Sequence, residues 1–241
     1  LDGTAQKKAA AERAALLVEN GMKVGLGTGS TAAFVVDALG RRMGEGLRFV
    51  GVPTSEATHR QATSLGIPLA TLEEEPDLDL VIDGADEIGP GLALVKGGGG
   101  ALLREKLVAA ASRRMVVIAD ASKRVETLGR FPLPVEVVPF GIDTTRRRLA
   151  AVLREVLGRE IETVLRKAKD GSPFVTDGQH WILDAQCGAI PDPAALAAAI
   201  KAILGVVDHG LFVALADVAL IGTPDGVMEM TADGTTRRGE G

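Results

Sequence analysis

Short apolar runs alternate with amphipathic helical stretches through the first 120 residues, and this alternation restricts the fold more than any other feature. Residues 22–26, 48–52, 67–70, 78–82 and 115–119 read as strands, the last two as apolar runs of the fully buried kind. Between them, helical periodicity covers 8–18 (with Thr4 as a cap and a stop at Asn20-Gly21), 31–43, 56–65 and 101–112. Buried strands linked by crossover helices make a parallel sheet covered on both faces, a Rossmann-like α/β architecture.

The pattern changes at Phe131-Pro-Leu-Pro134. A strand over 135–138, a helix over 143–157, a strand over 161–166, a hairpin over 173–183 turning at Asp177-Gly178, and a helix over 193–204 capped by Asp192 follow in that order. This is the β-α-β-β-α order of an inserted antiparallel α+β module, ferredoxin-like in type. Later apolar runs at 206–207, 211–215, 218–221 and 227–230 are expected to rejoin the first sheet. The chain thus divides into a Rossmann-like catalytic domain, 1–130 with 206–241, and an inserted domain, 131–205. The tail, 235–241, lacks periodicity and is expected to be mobile.

Composition narrows the function. Six Phe, one Trp and no Tyr in 241 residues leave almost nothing on which to stack bases, and a net charge of −5 opposes a phosphate-backbone binder. No nucleic-acid partner is expected. One cysteine, Cys187, allows no internal disulfide and reads first as a small strand or turn residue and only second as a nucleophile. Three scattered His show no metal-ligand spacing, and no apolar run reaches membrane-spanning length, so the expectation is a cytoplasmic chain with no metal and no membrane partner.

Ligands of open parallel sheets bind outside the carboxyl ends of the strands. Three loops at such ends stand out among the chain's 30 glycines. Gly25-Leu-Gly-Thr-Gly-Ser-Thr31 precedes a helix, whose free N–H groups favour an anion, with hydroxyls from Thr28, Ser30 and Thr31. Ser30 stands where a dinucleotide fingerprint needs its third glycine, and no Gly-Lys-Ser/Thr follows, so a small phosphate ester is favoured over a nucleotide. A tight capped turn fits this loop equally well. Asp83-Gly-Ala-Asp-Glu87 follows a buried strand; Mg²⁺ coordination, hydrogen bonding to a polyhydroxyl substrate and an ordinary acidic turn all fit it. Lys96-Gly-Gly-Gly-Gly100 leads directly into a helix, so it is a loop whose backbone meets a ligand rather than a linker. Lys96 supplies charge for an oxyanion, while Arg104-Glu105-Lys106 reads by itself as a solvated charge run.

Assembled in order, these segments resemble the A-type ribose-5-phosphate isomerases. The resemblance rests on Gly27-Thr-Gly-Ser-Thr-Ala32, Val81-Ile-Asp-Gly-Ala-Asp-Glu87, Val95-Lys-Gly-Gly-Gly99, Arg104-Glu-Lys106, Ala119-Asp-Ala-Ser-Lys123 and Phe131-Pro-Leu-Pro-Val-Glu-Val137. Gly210-Leu-Phe212, Ala216-Asp-Val-Ala219 and Ile221-Gly-Thr-Pro-Asp-Gly226 extend it toward the C-terminus. It implies interconversion of D-ribose 5-phosphate and D-ribulose 5-phosphate through a cis-enediolate, in the non-oxidative pentose phosphate pathway, without metal or organic cofactor. Glu105 is then the general base, replacing the surface reading. Asp83, Asp86 and Lys96 open the sugar ring and stabilise the enediolate oxygens. Thr28, Gly29, Ser30, Thr31 and Lys123 grip the phosphate, with Lys7 as a helper. Gly84 and Ala85 line the substrate, and the amides of Gly97, Gly98 and Gly99 hold hydroxyls or the oxyanion. The inserted module is expected to make homodimer or homotetramer contacts. Gly100 stands where the family usually has Ala, which predicts a slightly looser loop. A non-catalytic sugar-phosphate sensor and an acyl-CoA transferase-like enzyme are the rival classes; the first needs a DNA-binding helix-turn-helix for which the N-terminal helix leaves no room.

Overall fold

A computed structural model describes residues 1–238. In chain order the elements are α1 (Gly3–Ala15), β1 (Lys23–Leu26), α2 (Ser30–Gly44), β2 (Val50–Pro53), α3 (Glu56–Ser64), β3 (Leu80–Gly84), β4 (Glu87–Ile88) and β5 (Leu94–Val95). Next come α4 (Leu102–Ala110), β6 (Met115–Asp120), β7 (Leu133–Val137), α5 (Ile142–Leu157), β8 (Thr163–Leu165) and β9 (Trp181–Ala185). The last are α6 (Pro193–Lys201), β10 (Val206–His209), β11 (Leu211–Phe212), β12 (Val218–Thr223), β13 (Gly226–Thr231) and β14 (Thr236–Arg238). They fall into two compact units: Leu1–Ala85, Arg104–Arg124 and the chain from Ala214 on, and Asp86–Leu103 with Val125–Val213.

The first unit is built on a seven-stranded sheet in the order β14-β13-β12-β6-β3-β1-β2. The run from β12 to β2 is parallel; β13 and β14 add antiparallel at one edge. Strand alternation separates two faces. Val24, Leu26, Leu80, Ile82, Val116, Ile118, Val218 and Leu220 join the core made with α1 and α2. On the other face Val81 and Gly25 meet Val108 of α4. A Cβ on Gly25 would lie 2.5 Å from Val108 Cγ1, so this glycine permits helix-to-sheet contact rather than ligand approach. Sequence order reverses on either side of β1, between β2 and β3, and the carboxyl ends of β1 and β3 part there.

The second unit holds a four-stranded antiparallel sheet, β10-β7-β9-β8. Its β-α-β-β-α-β chain order and 4-1-3-2 strand order are those of a ferredoxin-like module. Leu133, Val135, Val137, Leu183 and Ala185 bury one face with Leu149 and Leu153 of α5 and Leu196 and Ile200 of α6. A small antiparallel sheet, β11-β5-β4, completes the unit.

Several local expectations change. Asp2, not Thr4, caps α1, accepting from the Ala5 N–H at 2.8 Å. Residues 67–70 contribute a single parallel bridge, Gly51 to Leu69, instead of a strand. The expected hairpin over 173–183 is not a strand pair: β9 pairs with β8, Thr163 opposite Ala185 and Leu165 opposite Leu183. Pro173 lacks a donor, and the following segment turns tightly at Thr176, whose N–H reaches His180 O at 2.9 Å. Of the runs expected to rejoin the first sheet, 218–221 and 227–230 do so, whereas 206–207 belongs to β10 and 211–212 to β11. The expected mobile tail is in part an edge strand, since Thr236–Arg238 pairs with β13; Gly239, Glu240 and Gly241 lie outside the described residues.

Candidate active site

In the first unit the loop after β1 is shaped by Asp83 at the end of β3. The Asp83 side chain is buried, and its Oδ1 accepts the Thr28 N–H at 3.1 Å and the Gly84 N–H at 2.7 Å. A Cβ on Gly27 would lie 2.1 Å from that oxygen and 2.6 Å from Asp83 Cα, so only glycine fits. The Thr28 hydroxyl turns inward, 2.7 Å from Thr54 Oγ1 and 2.8 Å from Ser55 Oγ, and Thr58 Oγ1 donates to Gly27 O at 2.8 Å. Thr54, Ser55 and Thr58 form a buried hydroxyl bed that the motifs did not indicate; small polar residues at a strand end were its one signal.

Gly29, at φ +104°, caps α2 with no side-chain acceptor, so the start of this 15-residue helix, at exposed Ser30, carries no side-chain cap. Such a terminus attracts an anion. Lys7 Nζ donates to Ser30 Oγ at 3.2 Å, bringing a cation to it. The neighbouring residue Gln6 accepts the Ala121 N–H at 3.2 Å, where the 3-10 turn Ala121–Lys123 carries Lys123. α1 presses closely on β12, because a Cβ at Gly222 would meet Gln6 O at 1.9 Å. Lys7, Ser30 and Thr31 are thereby brought together, and the Gln6–Ala121 bond ties α1 to the turn bearing Lys123.

Glu105 is buried in the first turn of α4. It lies three residues before Val108, which packs over Gly25 of β1, so both share one helix face. Arg104 points elsewhere, pairing with Glu56 of α3 at 2.9 Å and holding that carboxyl below its ordinary range. The solvated charge run expected from sequence is therefore true of Arg104 and not of Glu105.

In the second unit Lys96 is buried directly after β5. Its N–H donates to Gly210 O at 2.8 Å, and its ammonium lies 5.4 Å from the Phe212 ring centroid. Asp86 is half-buried and accepts the Gly98 N–H through Oδ2 at 2.7 Å. Gly97 (φ +105°) has Leu102 and Pro134 where a Cβ would point; at Gly98 the Asp86 carboxylate lies 2.7 Å and Phe131 2.9 Å from the Cβ position. Gly100 (φ +80°) sits against the Phe174 ring, 2.5 Å from its would-be Cβ. The expected loosening at Gly100 is thus reversed: the glycine makes room for an aromatic ring. Glu87, the last residue of the acidic motif, is buried and accepts the Gly129 and Phe131 N–H groups, each at 2.7 Å, which braces the chain entering β7.

Cys187 is fully buried, and burial pushes its thiol up to about 11, which leaves it a packed, protonated group. Among the described residues no helix is long and apolar enough to cross a membrane, and no three His, Cys, Asp or Glu are grouped to hold a metal ion.

The family model for ribose 5-phosphate isomerase A (phosphoriboisomerase A) matches residues 50–226. A ribose-5-phosphate isomerase A from Afipia carboxidovorans is 60% identical over 221 residues, 92% of this chain and 93% of that protein. One from Synechococcus sp. is 59% identical over 224 residues, 92% and 94% of the two chains. Among solved structures, the ribose 5-phosphate isomerase of Plasmodium falciparum superposes with a TM-score of 0.90 at 39% identity, covering 95% of this chain and 98% of that one. A D-ribose-5-phosphate isomerase in complex with phospho-erythronic acid gives a TM-score of 0.90 at 34% identity, covering 96% and 100%. The chain belongs to the ribose 5-phosphate isomerase A family, enzymes that interconvert ribose 5-phosphate and ribulose 5-phosphate.

Proposed function

We propose that Glu105 is the general base of this isomerisation and that the reaction passes through a cis-enediolate. In the open-chain aldose, a carboxylate takes the proton from C2 while the C2–H pair forms the C1–C2 double bond and charge develops on the C1 oxygen. Return of that proton to C1, with proton exchange between the two oxygens, gives the ketose. The observation that carries this assignment is the burial of Glu105 in the first turn of α4, on the face shared with Val108. A buried carboxylate reacts where bulk water does not compete for the proton.

Asp83 and Asp86 relay the hydroxyl protons of ring opening, and Lys96 balances the negative charge on the enediolate oxygens. The start of α2, from Thr28 to Thr31, holds the phosphate with Lys7 and Lys123. Gly84 and Ala85 line the sugar, and the amides of Gly97 to Gly99 hold hydroxyls or the developing oxyanion. The inward turn of the Thr28 hydroxyl supports a backbone role for that residue. Phospho-erythronic acid, bound by a structural neighbour, joins a phosphate to a carboxylate, which agrees with two anionic subsites.

Glu105→Gln keeps shape and removes the base. It should lower kcat by about 10³-fold while ribose 5-phosphate still binds, measured by turnover and by calorimetric titration of the variant. Normal turnover would rule the assignment out. Catalysis by a cytoplasmic homo-oligomer completes the proposal. Self-association is supported by Phe140 (93% exposed) and Leu204 (82% exposed), apolar side chains on loops of the second unit joined by a Val138 N–H to Gly205 O hydrogen bond of 2.9 Å. A solution mass of one chain would oppose it.

A further inference from the structure

We propose that Arg166, held in place by Asp184, is a positioning residue for isomerisation: it clamps the peptide planes of the Gly97–Gly100 loop and so sets the groups on either side of it. This rests on the roles given above to Asp86, Lys96 and the loop amides.

Arg166 directly follows β8, and Asp184 lies on the neighbouring strand β9. Arg166 Nε and Nη2 donate to the two oxygens of Asp184 at 2.9 and 2.6 Å, a bidentate pair that fixes the guanidinium plane. Both side chains are largely covered, at 16% and 19% exposure, so the pair is screened less than a surface ion pair. The remaining arm, Nη1, donates to Gly97 O at 2.9 Å and to Gly98 O at 3.2 Å. The guanidinium carbon also lies 5.7 Å from the Phe174 ring, the same ring that fills the space beside Gly100. One arginine and its aromatic neighbour therefore touch the glycine run at three of its four residues.

The peptide geometry gives this contact a chemical consequence. Gly97 O and the Gly98 N–H belong to one amide, so that amide accepts from Arg166 and donates to Asp86 Oδ2. A continuous line runs from the Asp184 carboxylate through the guanidinium and the peptide to the Asp86 carboxylate. A cation on the carbonyl draws electron density from the nitrogen, making the N–H a stronger donor and holding one Asp86 oxygen fixed. Gly98 O shares its amide with the N–H of Gly99, an exposed residue, so the same cation polarises that N–H. Four glycines lose more backbone freedom on ordering than any other four residues, so a charged clamp is where that cost is met. Lys96 precedes the loop directly and inherits its orientation. The ferredoxin-like module thus contributes to chemistry as well as to packing.

The test uses Arg166→Gln, Arg166→Lys and Asp184→Asn in the full chain. Arg166→Gln should lower kcat by about 10²-fold, the scale of a misplacement near 1 Å, with KM changed less than about threefold. Arg166→Lys keeps the charge without the fork and should fall between Arg166→Gln and the parent chain. The double variant Arg166→Gln/Asp184→Asn should be no slower than Arg166→Gln, because the two residues act as one unit. Hydrogen exchange followed by mass spectrometry supplies a readout apart from activity. The segment 96–101 should exchange at least about tenfold faster in Arg166→Gln while β7 and β9 stay protected. Unchanged kcat, a loss carried wholly by KM, or unchanged exchange at 96–101 would each overturn the clamp. Loss of protection throughout the module would reduce Arg166 to a packing residue and equally overturn it. If Glu105→Gln is inactive and Arg166→Gln is normal, the clamp alone fails; if Glu105→Gln is active, the functional assignment fails and the exchange result still decides the clamp.

Discussion

The two glycine-rich loops look alike in sequence and are held in opposite ways. The Gly25–Gly29 loop is shaped by its own sheet and the helix packed on it: Val81 of β3 and Val108 of α4 against Gly25, and Asp83 of β3 against Gly27. Its open helix start follows from a cap residue, Gly29, that offers no acceptor. The Gly97–Gly100 run has no such frame. Its shape is imposed by side chains of the inserted module far along the chain, Arg166 on two carbonyls (69 and 68 residues away) and Phe174 on Gly100, with Asp86 and Phe131 at Gly98. A glycine against a strand backbone has nowhere to yield, whereas a glycine against a ring leaves the ring free to move.

That contrast can be broken experimentally. Gly27→Ala should have the largest effect, because the new methyl would overlap both the Asp83 carboxylate and its Cα, and backbone cannot retreat. We expect about 3 kcal/mol of destabilisation, read from urea unfolding, together with a fall in kcat/KM of about 10²-fold as Asp83 shifts. Gly100→Ala meets the outer edge of a half-buried Phe174 ring and a φ of +80°, and should cost about 2 kcal/mol. Adding Phe174→Leu should recover part of that loss, since it removes the overlapping ring atoms. If the double variant is no more stable than Gly100→Ala, backbone strain and not the ring governs this position. Gly29→Ala should be mildest in stability. Nothing lies within 4 Å of its Cβ position, so only the φ of +104° opposes it, at about 1 kcal/mol. A larger loss at Gly29 than at Gly27 would refute the ranking by close approach.

The elements readable in advance were those whose pattern is local. Met115–Asp120 is apolar enough to be a doubly buried strand wherever it falls, and Asp192 before Pro193 announces a helix start by its own chemistry. The run 206–207 was expected in the first sheet and lies in the second unit, because a two-residue apolar pair carries no information about its partner. β4, β5 and β11 are two residues each, too short for any periodicity, yet they hold Lys96 in place through the Gly210 carbonyl. The hairpin over 173–183 failed for a related reason. Asp177-Gly178 does turn the chain, but pairing was settled by β8, whose Val164 and Leu165 fit opposite Asp184 and Leu183. Glu105 shows the same limit from the other side: Arg104-Glu105-Lys106 is uniformly charged, and only helix packing separates a buried carboxylate from an exposed arginine.

The parallel α/β class, the ferredoxin-like module, the family and the identity of the polar residues at the strand ends are all legible in the order of the amino acids. Those follow from periodicity, turn chemistry and motifs held in register, each confined to a few neighbouring residues. Tertiary structure alone decided why individual glycines are glycines, that Thr28 rests on Thr54 and Ser55, that Gly100 is tight, and that Arg166 reaches the glycine run. Each of these depends on the distance between groups far apart along the chain, and a one-dimensional pattern carries no such distance.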